Sequence, residues 1–305
     1  MRIAAIDSGT NTLLMLIADV QKNGEVQIIK EFHNMPRAGE GVFTTKLIRE
    51  EKISALIDIY SKYRAAAAEF GAEKIIAGGT NVFRIAENAK KVIEKVKNAT
   101  GIEIKVLTGE EEAELSFLGA TADFNRSHLL AVIDIGGGST EVTCKKDNNL
   151  IFKKSFPTGV VTIRENFVGK EHLSSDNLSE IYSHTRDIFS DLKAISVFPE
   201  AAVAIAGTPT TLISMAKGLV KYDAKAIHKE FLSIEMIEKL LQQFINLPFG
   251  QYSKYGKIVA GREDLMGGGS AILKTVLEVL NLNGAFVSTT GLRYGMVLKY
   301  AEENL

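Results

Sequence analysis

The 305-residue sequence contains a single cysteine, Cys144, and no tryptophan. One thiol cannot form an intrachain disulfide, a cysteine-cluster zinc site or a CxxC redox pair, so a reducing compartment is expected. No apolar run approaches the ~20 residues of a membrane span. Asp7 interrupts the first apolar stretch too early for a signal peptide. We therefore expect a cytoplasmic protein that does not cross a membrane.

The sequence also lacks an excess of positive or negative charge. The 36 Lys and Arg residues stand against 37 Asp and Glu residues, which leaves a formal net charge of −1. Without a broad positive field, binding to nucleic acid or to an anionic membrane is not expected, and any polyanion has to meet a local site. Hydrophobic residues make up 46% of the chain, which is ample for the cores of about two domains.

One short pattern occurs twice in the chain. Residues 3–31 and 130–155 each read as strand, small-residue loop, strand, polar turn and strand, with the second polar turn at 147–149. Each copy places an aspartate at the end of its first strand, Asp7 and then Asp134, 127 residues further along. We infer two related domains that face each other across a central cleft.

Strands alternate with helices outside the two copies, which indicates an α/β architecture. The predicted helices lie at 50–70, 85–98, 108–120, 175–195, 209–217, 234–246 and 263–281. Further strands are predicted at 74–77, 102–107, 201–206 and 285–288. We predict domains at 1–124 and 125–305, with a final helix at about 292–305 that packs back on the first domain.

Glycine-rich turns follow both aspartates. Glycine reaches positive φ and carries no side chain, so such a turn lets backbone N–H groups converge on an anion. The residues of the two turns are Ser8, Gly9, Thr10 and Asn11, and then Gly136, Gly137, Gly138 and Ser139. A tight structural turn explains one such motif as readily as a phosphate site does. Because the same aspartate and glycine pattern occurs twice, we favour phosphate binding.

A run of three glycines lies inside a helical pattern at 267–269. Each glycine there costs about 0.5–1 kcal/mol relative to alanine, so something has to approach this backbone closely. Helix packing and a bound ligand are both open explanations.

These motifs resemble those of the Ppx/GppA family, the exopolyphosphatases and guanosine pentaphosphate phosphohydrolases within the actin, Hsp70 and sugar-kinase ATPase superfamily. The matching segments cover the whole chain: IDSGTNTLLML (6–16), GTNVFRIAENA (79–89), TGEEEAELSFLGA (108–120), VIDIGGGSTEV (132–142), AIAGTPTTL (204–212), REDLMGGGSAIL (262–273) and STTGLRYGMVL (288–298). The resemblance implies two ribonuclease H-like, actin-like ATPase domains around the central cleft, in a short two-domain member of the family.

The resemblance also implies roles for individual residues. Glu112 matches the general base that activates water, Arg84 matches an arginine that contacts substrate phosphate, and Asp134 completes the catalytic set. The implied cofactor is Mg²⁺ or Mn²⁺, held near Asp7, Asp134 and Glu112. Helix periodicity alone leaves Glu111 as an alternative base, although its spacing from Thr108 is typical of a capping box. Further candidate substrate contacts are Glu141, Gly207, Thr208, Arg262 and Arg293.

Three functions are compatible with two phosphate-binding turns. They are hydrolysis of the terminal phosphoanhydride bonds of inorganic polyphosphate or guanosine pentaphosphate, phosphoryl transfer to a small acceptor, and nucleotide sensing with little turnover. We favour hydrolysis, because no acceptor motif of a sugar or acetate kinase is present and a sensor has no need of Glu112. The expected partners are polyphosphate and guanosine pentaphosphate, with a homodimer as the general expectation for a soluble enzyme.

Overall fold

The computed structural model describes residues 1–147 and 149–305, and the predicted turn at 147–149 includes Asn148, which lies outside these residues. The chain forms two compact units. The first comprises Met1–Gly119 and Thr290–Leu305, and the second comprises Ala120–Thr289. Within the described residues, no helix combines the length and the apolar character needed to cross a membrane.

The strands and helices follow one another as an α/β protein. The strands are β1 (Arg2–Ser8), β2 (Leu13–Val20), β3 (Val26–Asn34), β4 (Lys74–Gly79), β5 (Ile104–Val106), β6 (Leu129–Ile135), β7 (Thr140–Lys146), β8 (Asn149–Phe156), β9 (Ala201–Ile205), β10 (Phe231–Ser233) and β11 (Gly284–Val287). The first six helices are α1 (Val42–Thr45), α2 (Glu50–Glu69), α3 (Asn81–Ile85), α4 (Ala89–Thr100), α5 (Gly109–Ala120) and α6 (Val160–Phe167). The others are α7 (Ser175–Ile188), α8 (Gly207–Ala216), α9 (Ala224–Ile227), α10 (Ile234–Phe244), α11 (Met266–Val279) and α12 (Leu292–Asn304).

The two sheets repeat one arrangement. In the first unit the strand order is β3-β2-β1-β4-β5, and in the second it is β10-β11-β9-β6-β7-β8. In each sheet three strands that are consecutive in the chain pair antiparallel, and one further strand, β4 or β9, joins the first of these three in parallel. Strands β5 and β11 extend the two sheets in parallel, and β10 pairs antiparallel with β11 at the edge of the second sheet. The repeat and the α/β class predicted from the sequence are therefore confirmed. The edge strand β10 was not predicted, because its three residues run directly into the apolar pattern of α10.

Strand β1 lies at the centre of its sheet and is buried on both faces, which is why it reads as a continuous apolar run. Its residues alternate between two cores. Ala4 and Ile6 face the core that contains the apolar side of α2, whereas Ile3 and Ala5 face the core that contains the apolar side of α12. Helix α12 thus packs on the sheet of the first unit.

Two glycines let α5 and α12 touch through their backbones. A Cβ atom at Gly119 would lie 2.1 Å from the carbonyl oxygen of Gly291, and one at Gly295 would lie 1.9 Å from that of Leu115. Neither position can accept a larger residue without moving a helix, so this crossing requires glycine.

The glycine run at the start of α11 is explained by packing within the second unit. A Cβ atom at Gly268 would lie 2.6 Å from Cγ2 of Ile163 on α6. One at Gly269 would lie 2.3 Å from Oγ1 of Thr208 on α8. Of the two explanations left open by the sequence, helix packing is the one confirmed.

Candidate active site

The two glycine-containing turns are built alike, each within its own unit. Asp7 is the next-to-last residue of β1, and Asp134 is the next-to-last residue of β6. In the first turn the N–H of Gly9 donates to the carbonyl of Thr12 at 2.9 Å. In the second the N–H of Gly136 donates to the carbonyl of Ser139 at 3.0 Å. The sequence repeat therefore extends to the hydrogen bond that closes each turn.

The segment after β3 supports the first turn from one side. The N–H of Gly39 donates to the carbonyl of Thr10 at 2.8 Å, and that of Arg37 donates to the carbonyl of Asn11 at 3.1 Å. A trans peptide points its C=O and N–H groups in opposite directions. The N–H groups of Asn11 and Thr12 consequently point away from the supporting segment.

Helix α6 supports the second turn in the same way. The N–H of Val160 donates to the carbonyl of Gly136 at 3.0 Å, and that of Val161 donates to the carbonyl of Gly137 at 2.7 Å. The N–H groups of Gly137 and Gly138 then point away from α6. Each turn thus presents two consecutive N–H groups to one side, which is the arrangement that binds an anion.

The supporting glycines were missed by the sequence analysis. A Cβ atom at Gly39 would lie 2.2 Å from Cγ2 of Thr10, and one at Gly159 would lie 2.6 Å from the carbonyl oxygen of Gly136. A sequence signal does exist, because a proline followed closely by a glycine comes after the third strand of each copy, at 36–39 and 157–159.

Several polar side-chain atoms around the first turn are buried and have no hydrogen-bond partner among the described residues. They include Thr10 Oγ1, Asn11 Oδ1 and Asn81 Oδ1. An unsatisfied buried polar atom costs about 1–3 kcal/mol. Unsatisfied polar atoms do not stabilise the fold. Their presence together at this turn therefore indicates a surface formed for a polar ligand.

Arg84 and Glu112 form a hydrogen-bonded ion pair in the first unit. Nη1 of Arg84, on α3, donates to Oε2 of Glu112 at 2.6 Å and to the carbonyl of Leu107 at 3.0 Å. Glu112 is only 7% exposed, whereas its neighbours Glu110 and Glu114 on α5 are exposed. The structure thus brings together two of the three residues that the family resemblance assigned to catalysis, whereas Asp134 lies in the second unit.

Glu111 has a different task at the start of α5. The N–H of Thr108 donates to its carboxylate at 2.9 Å, and its own N–H donates to the hydroxyl of Thr108 at 3.1 Å. Hydrogen bonds from Lys105 and from Thr108 hold the pKa of the Glu111 carboxyl below its ordinary value. The capping role expected from its spacing is confirmed.

Two buried carboxylates stand opposite each other in the second unit. Asp134 on β6 is paired in register with Glu141 on β7, and the hydroxyl of Ser155 donates to Glu141 at 2.6 Å. Like charges directly opposite on neighbouring strands are destabilising, so this position suits a cation. Among residues 1–147 and 149–305, no three His, Cys, Asp or Glu side chains are grouped as metal ligands. These oxygen donors fit Mg²⁺, which binds through one or two carboxylates, water and substrate phosphates.

Three of the remaining candidate residues, Gly207, Thr208 and Arg293, lie in the first turn of a helix, and Arg262 lies in the loop before α11. Gly207 and Thr208 begin α8, and Nη1 of Arg262 donates to the carbonyl of Gly207 at 3.0 Å and to the hydroxyl of Thr211 at 3.1 Å. Burial lowers the pKa of the Arg262 guanidinium. In the first unit, Arg293 donates to Glu31 on β3 at 3.0 Å, so its charge is balanced there.

Both units contain a mixed sheet with three antiparallel strands and further parallel strands, and in both a glycine N–H closes the turn after the first strand. The chain therefore has the duplicated α/β architecture of the actin-like ATPase fold. A solved structure of the Aquifex aeolicus Ppx/GppA family member superposes with a TM-score of 0.84 and 27% identity, covering 100% of this chain and 99% of that one. The family model for the Ppx/GppA phosphatase family matches residues 16–304. The chain belongs to that family.

Curated relatives match along nearly the whole chain. Exopolyphosphatase 2 of Mycobacterium tuberculosis is 29% identical over 92% of this chain and 91% of its own length. A bifunctional 3-dehydroquinate synthase/phosphatase of Fusobacterium nucleatum is 30% identical over 98% of this chain. The chain spans only 46% of that longer relative. The guanosine-5'-triphosphate,3'-diphosphate pyrophosphatase of Photobacterium profundum is 25% identical over 96% of this chain and 58% of its own length.

Proposed function

We propose that this protein is a phosphoanhydride hydrolase that releases orthophosphate from inorganic polyphosphate, from guanosine pentaphosphate, or from both. Membership of a phosphatase family and the names of the relatives support this proposal. The observation that carries it is the hydrogen-bonded pair of Arg84 and the buried Glu112 beside the first turn. The first turn is joined directly to the helix that carries Arg84, because the N–H of Thr80, just before α3, donates to the carbonyl of Ser8 at 3.1 Å.

Substrate binding relies on the backbone of the turns. The N–H groups of Asn11 and Thr12, and those of Gly137 and Gly138, donate to phosphate oxygens. The guanidinium of Arg84 adds a planar set of donors that matches phosphate oxygens. Positioning and charge stabilisation of this kind supply most of the catalysis in phosphoryl transfer.

Glu112 acts as the general base. Its carboxylate takes a proton from the attacking water while the water oxygen bonds to the terminal phosphorus. The bond from that phosphorus to the bridging oxygen breaks, and the shortened chain leaves with the electron pair. Arg84 fixes the carboxylate of Glu112 through the 2.6 Å hydrogen bond, so the base is held in one orientation.

Mg²⁺ or Mn²⁺, when bound, would neutralise charge on the phosphates. Asp134, beside Glu141 in the second unit, is proposed to hold such a cation, and Asp7 is the corresponding carboxylate of the first unit. Glu112 was also assigned to the metal by resemblance, and its hydrogen bond to Arg84 favours the role of base.

The test measures orthophosphate release from short polyphosphate, long polyphosphate and guanosine pentaphosphate side by side, with Mg²⁺ and without an added acceptor. We expect release from at least one substrate and its loss in EDTA. Tight binding of guanosine pentaphosphate without release would favour the sensing alternative. Release that requires a sugar or carboxylate acceptor would favour a kinase.

A further inference from the structure

Asn81 is a polar residue of the first unit to which neither the motif resemblance nor the proposed mechanism gives a task. It is the first residue of α3, and its Oδ1 atom is buried without a hydrogen-bond partner among the described residues. An acceptor that is removed from water and left unsatisfied costs about 1–3 kcal/mol. A hydrogen-bond donor that binds during function would satisfy this acceptor.

The position of Asn81 connects the first turn with the catalytic pair. The preceding residue, Thr80, is hydrogen-bonded to the carbonyl of Ser8 at 3.1 Å. Asn81 and Arg84 are three residues apart on α3, so their side chains share a face with Cβ atoms about 5–6 Å apart. Arg84 in turn holds the carboxylate of Glu112. Asn81 therefore stands on the face of α3 that also carries the partner of the proposed base.

The chemistry of Oδ1 restricts what it can bind. A side-chain amide oxygen accepts hydrogen bonds, and ionised phosphate oxygens also only accept them, so a phosphate group cannot satisfy this atom. A water molecule carries two hydrogens, and a water held by one acceptor alone can still rotate about that bond. Glu112 accepts the first hydrogen of the attacking water in the proposed mechanism, which leaves the second hydrogen in need of an acceptor.

We infer that Asn81 is a catalytic residue whose Oδ1 accepts the second hydrogen of the attacking water and thereby aligns that water with the terminal phosphorus. This inference rests on the proposed function. The water oxygen forms the new bond to phosphorus as the bond to the bridging oxygen breaks. One proton passes to Glu112, and the other stays on the orthophosphate product, which leaves with it. Orientation of the attacking water by a side-chain amide is an established device in phosphoryl transfer.

The test compares Asn81→Leu, which keeps the approximate shape but removes the acceptor, with Asn81→Asp, which keeps an oxygen acceptor and adds a negative charge. Asn98→Leu, at an exposed position of α4 in the same unit, is the matched control. With polyphosphate and saturating Mg²⁺, Asn81→Leu is expected to lower kcat by about 10-fold to 10²-fold with little change in KM. Asn81→Asp is expected to retain more of kcat and to raise KM, because the new charge repels the polyanion.

A pH–rate profile separates alignment from proton transfer. Asn81→Leu is expected to keep the acidic limb that reports Glu112, whereas Glu112→Gln is expected to lose it. Circular dichroism and a melting curve check folding. If Asn81→Leu does not fold, Asn81→Ala takes its place, because alanine removes the acceptor without adding bulk.

The outcomes separate this inference from the proposed function. A wild-type protein that releases no phosphate from any substrate overturns both. An active wild type with a fully active Asn81→Leu variant overturns the role of Asn81 alone. A loss confined to guanosine pentaphosphate assigns Oδ1 to a ribose hydroxyl, and a loss that appears at limiting Mg²⁺ but not at saturating Mg²⁺ assigns it to the cation. Either of these results overturns the water-aligning role.

Discussion

At the scale of single residues, burial distinguishes Glu112 from the other acidic side chains at the start of α5. We predict that Glu112→Gln keeps the fold and substrate binding but lowers kcat by about 10²–10⁴, the usual contribution of a positioned general base. The matched variant Glu111→Gln is expected to keep both kcat and nearly all of its stability, because glutamine can also complete a capping box. Steady-state phosphate release and thermal unfolding measure both. A normal rate for Glu112→Gln together with an inactive Glu111→Gln would transfer the role of base to Glu111.

The Arg84 guanidinium donates to two acceptors at once, Glu112 and the carbonyl of Leu107. Lysine keeps the charge but has no planar fork, so Arg84→Lys is predicted to reduce kcat/KM by about 10-fold or more. Arg49→Lys, at an exposed ion pair of the same unit, is the control and is expected to be neutral. Full activity of Arg84→Lys in the same assay would reduce the role of Arg84 to that of a simple positive charge.

Cys144 is fully buried on β7, and burial raises the pKa of its thiol to about 12. The thiolate is the reactive form, so the native protein is predicted to resist modification by a disulfide reagent in mildly alkaline buffer. Modification should appear only as denaturant unfolds the chain. The variant Ser196→Cys, at an exposed position, supplies a control thiol that should react at once. Rapid modification of Cys144 in folded wild-type protein would show that β7 opens readily.

At the scale of elements, the contact between α6 and the second turn leads to a prediction about polyphosphate binding and stability. Gly159→Ala would bring Cβ to 2.6 Å from the backbone of Gly136 and Gly137, so the turn has to shift. We predict weaker binding of polyphosphate by about 10-fold or more and a loss of about 1–3 kcal/mol of stability. Binding is measured in a Glu112→Gln background to prevent turnover. Gly169→Ala is the control, because its Cβ would meet nothing closer than 3.5 Å. Unchanged binding in Gly159→Ala would mean that the turn does not depend on this support.

Most longer elements and the short strands β5 and β11 could be predicted from the sequence, whereas β10 and several short helices could not. The predicted helix at 50–70 corresponds to α2, and that at 108–120 corresponds to α5. The predicted helix at 85–98 is in fact α4 at 89–100, preceded by the separate five-residue helix α3. Five residues show too little periodicity to be recognised, although α3 carries both Arg84 and Asn81. Helix α6 was also missed.

The candidate site also contains some residues that could be predicted from the sequence and others that could not. The aspartates and turn glycines could be found because the same residues occur twice in the sequence. The supports of the turns act through backbone N–H and C=O groups, which leave almost no side-chain pattern. The preference for Glu112 over Glu111 could not be worked out from periodicity, because it depends on which side chain the fold buries beside Arg84.

At the scale of the whole molecule, the duplication is the organising feature, and it was visible in the sequence. The two copies share strand order, turn closure and the support of the turn from the segment after the third strand. The second unit differs by adding a carboxylate, since Glu141 stands opposite Asp134 where Leu14 stands opposite Asp7. It stays a prediction that the two turns bind one substrate in a shared cleft.

The net charge of −1 leads to a prediction about chain length. Each internal phosphate of polyphosphate carries about one negative charge, which a long binding surface has to neutralise with Lys and Arg side chains. Here Arg293 is balanced by Glu31, and Lys154 is paired with Asp191. Only a few phosphates can therefore be held, and kcat/KM is predicted to rise over short chains and then level off. Initial rates across a series of chain lengths, at fixed Mg²⁺ and fixed salt, measure this dependence, with EDTA as the metal control. Efficiency that continued to rise over hundreds of phosphate units would contradict the prediction, because it would require an extended cationic surface. Activity undiminished by EDTA would contradict the proposed metal requirement, and would leave the neutralisation of substrate charge to Arg84 and the turn amides alone.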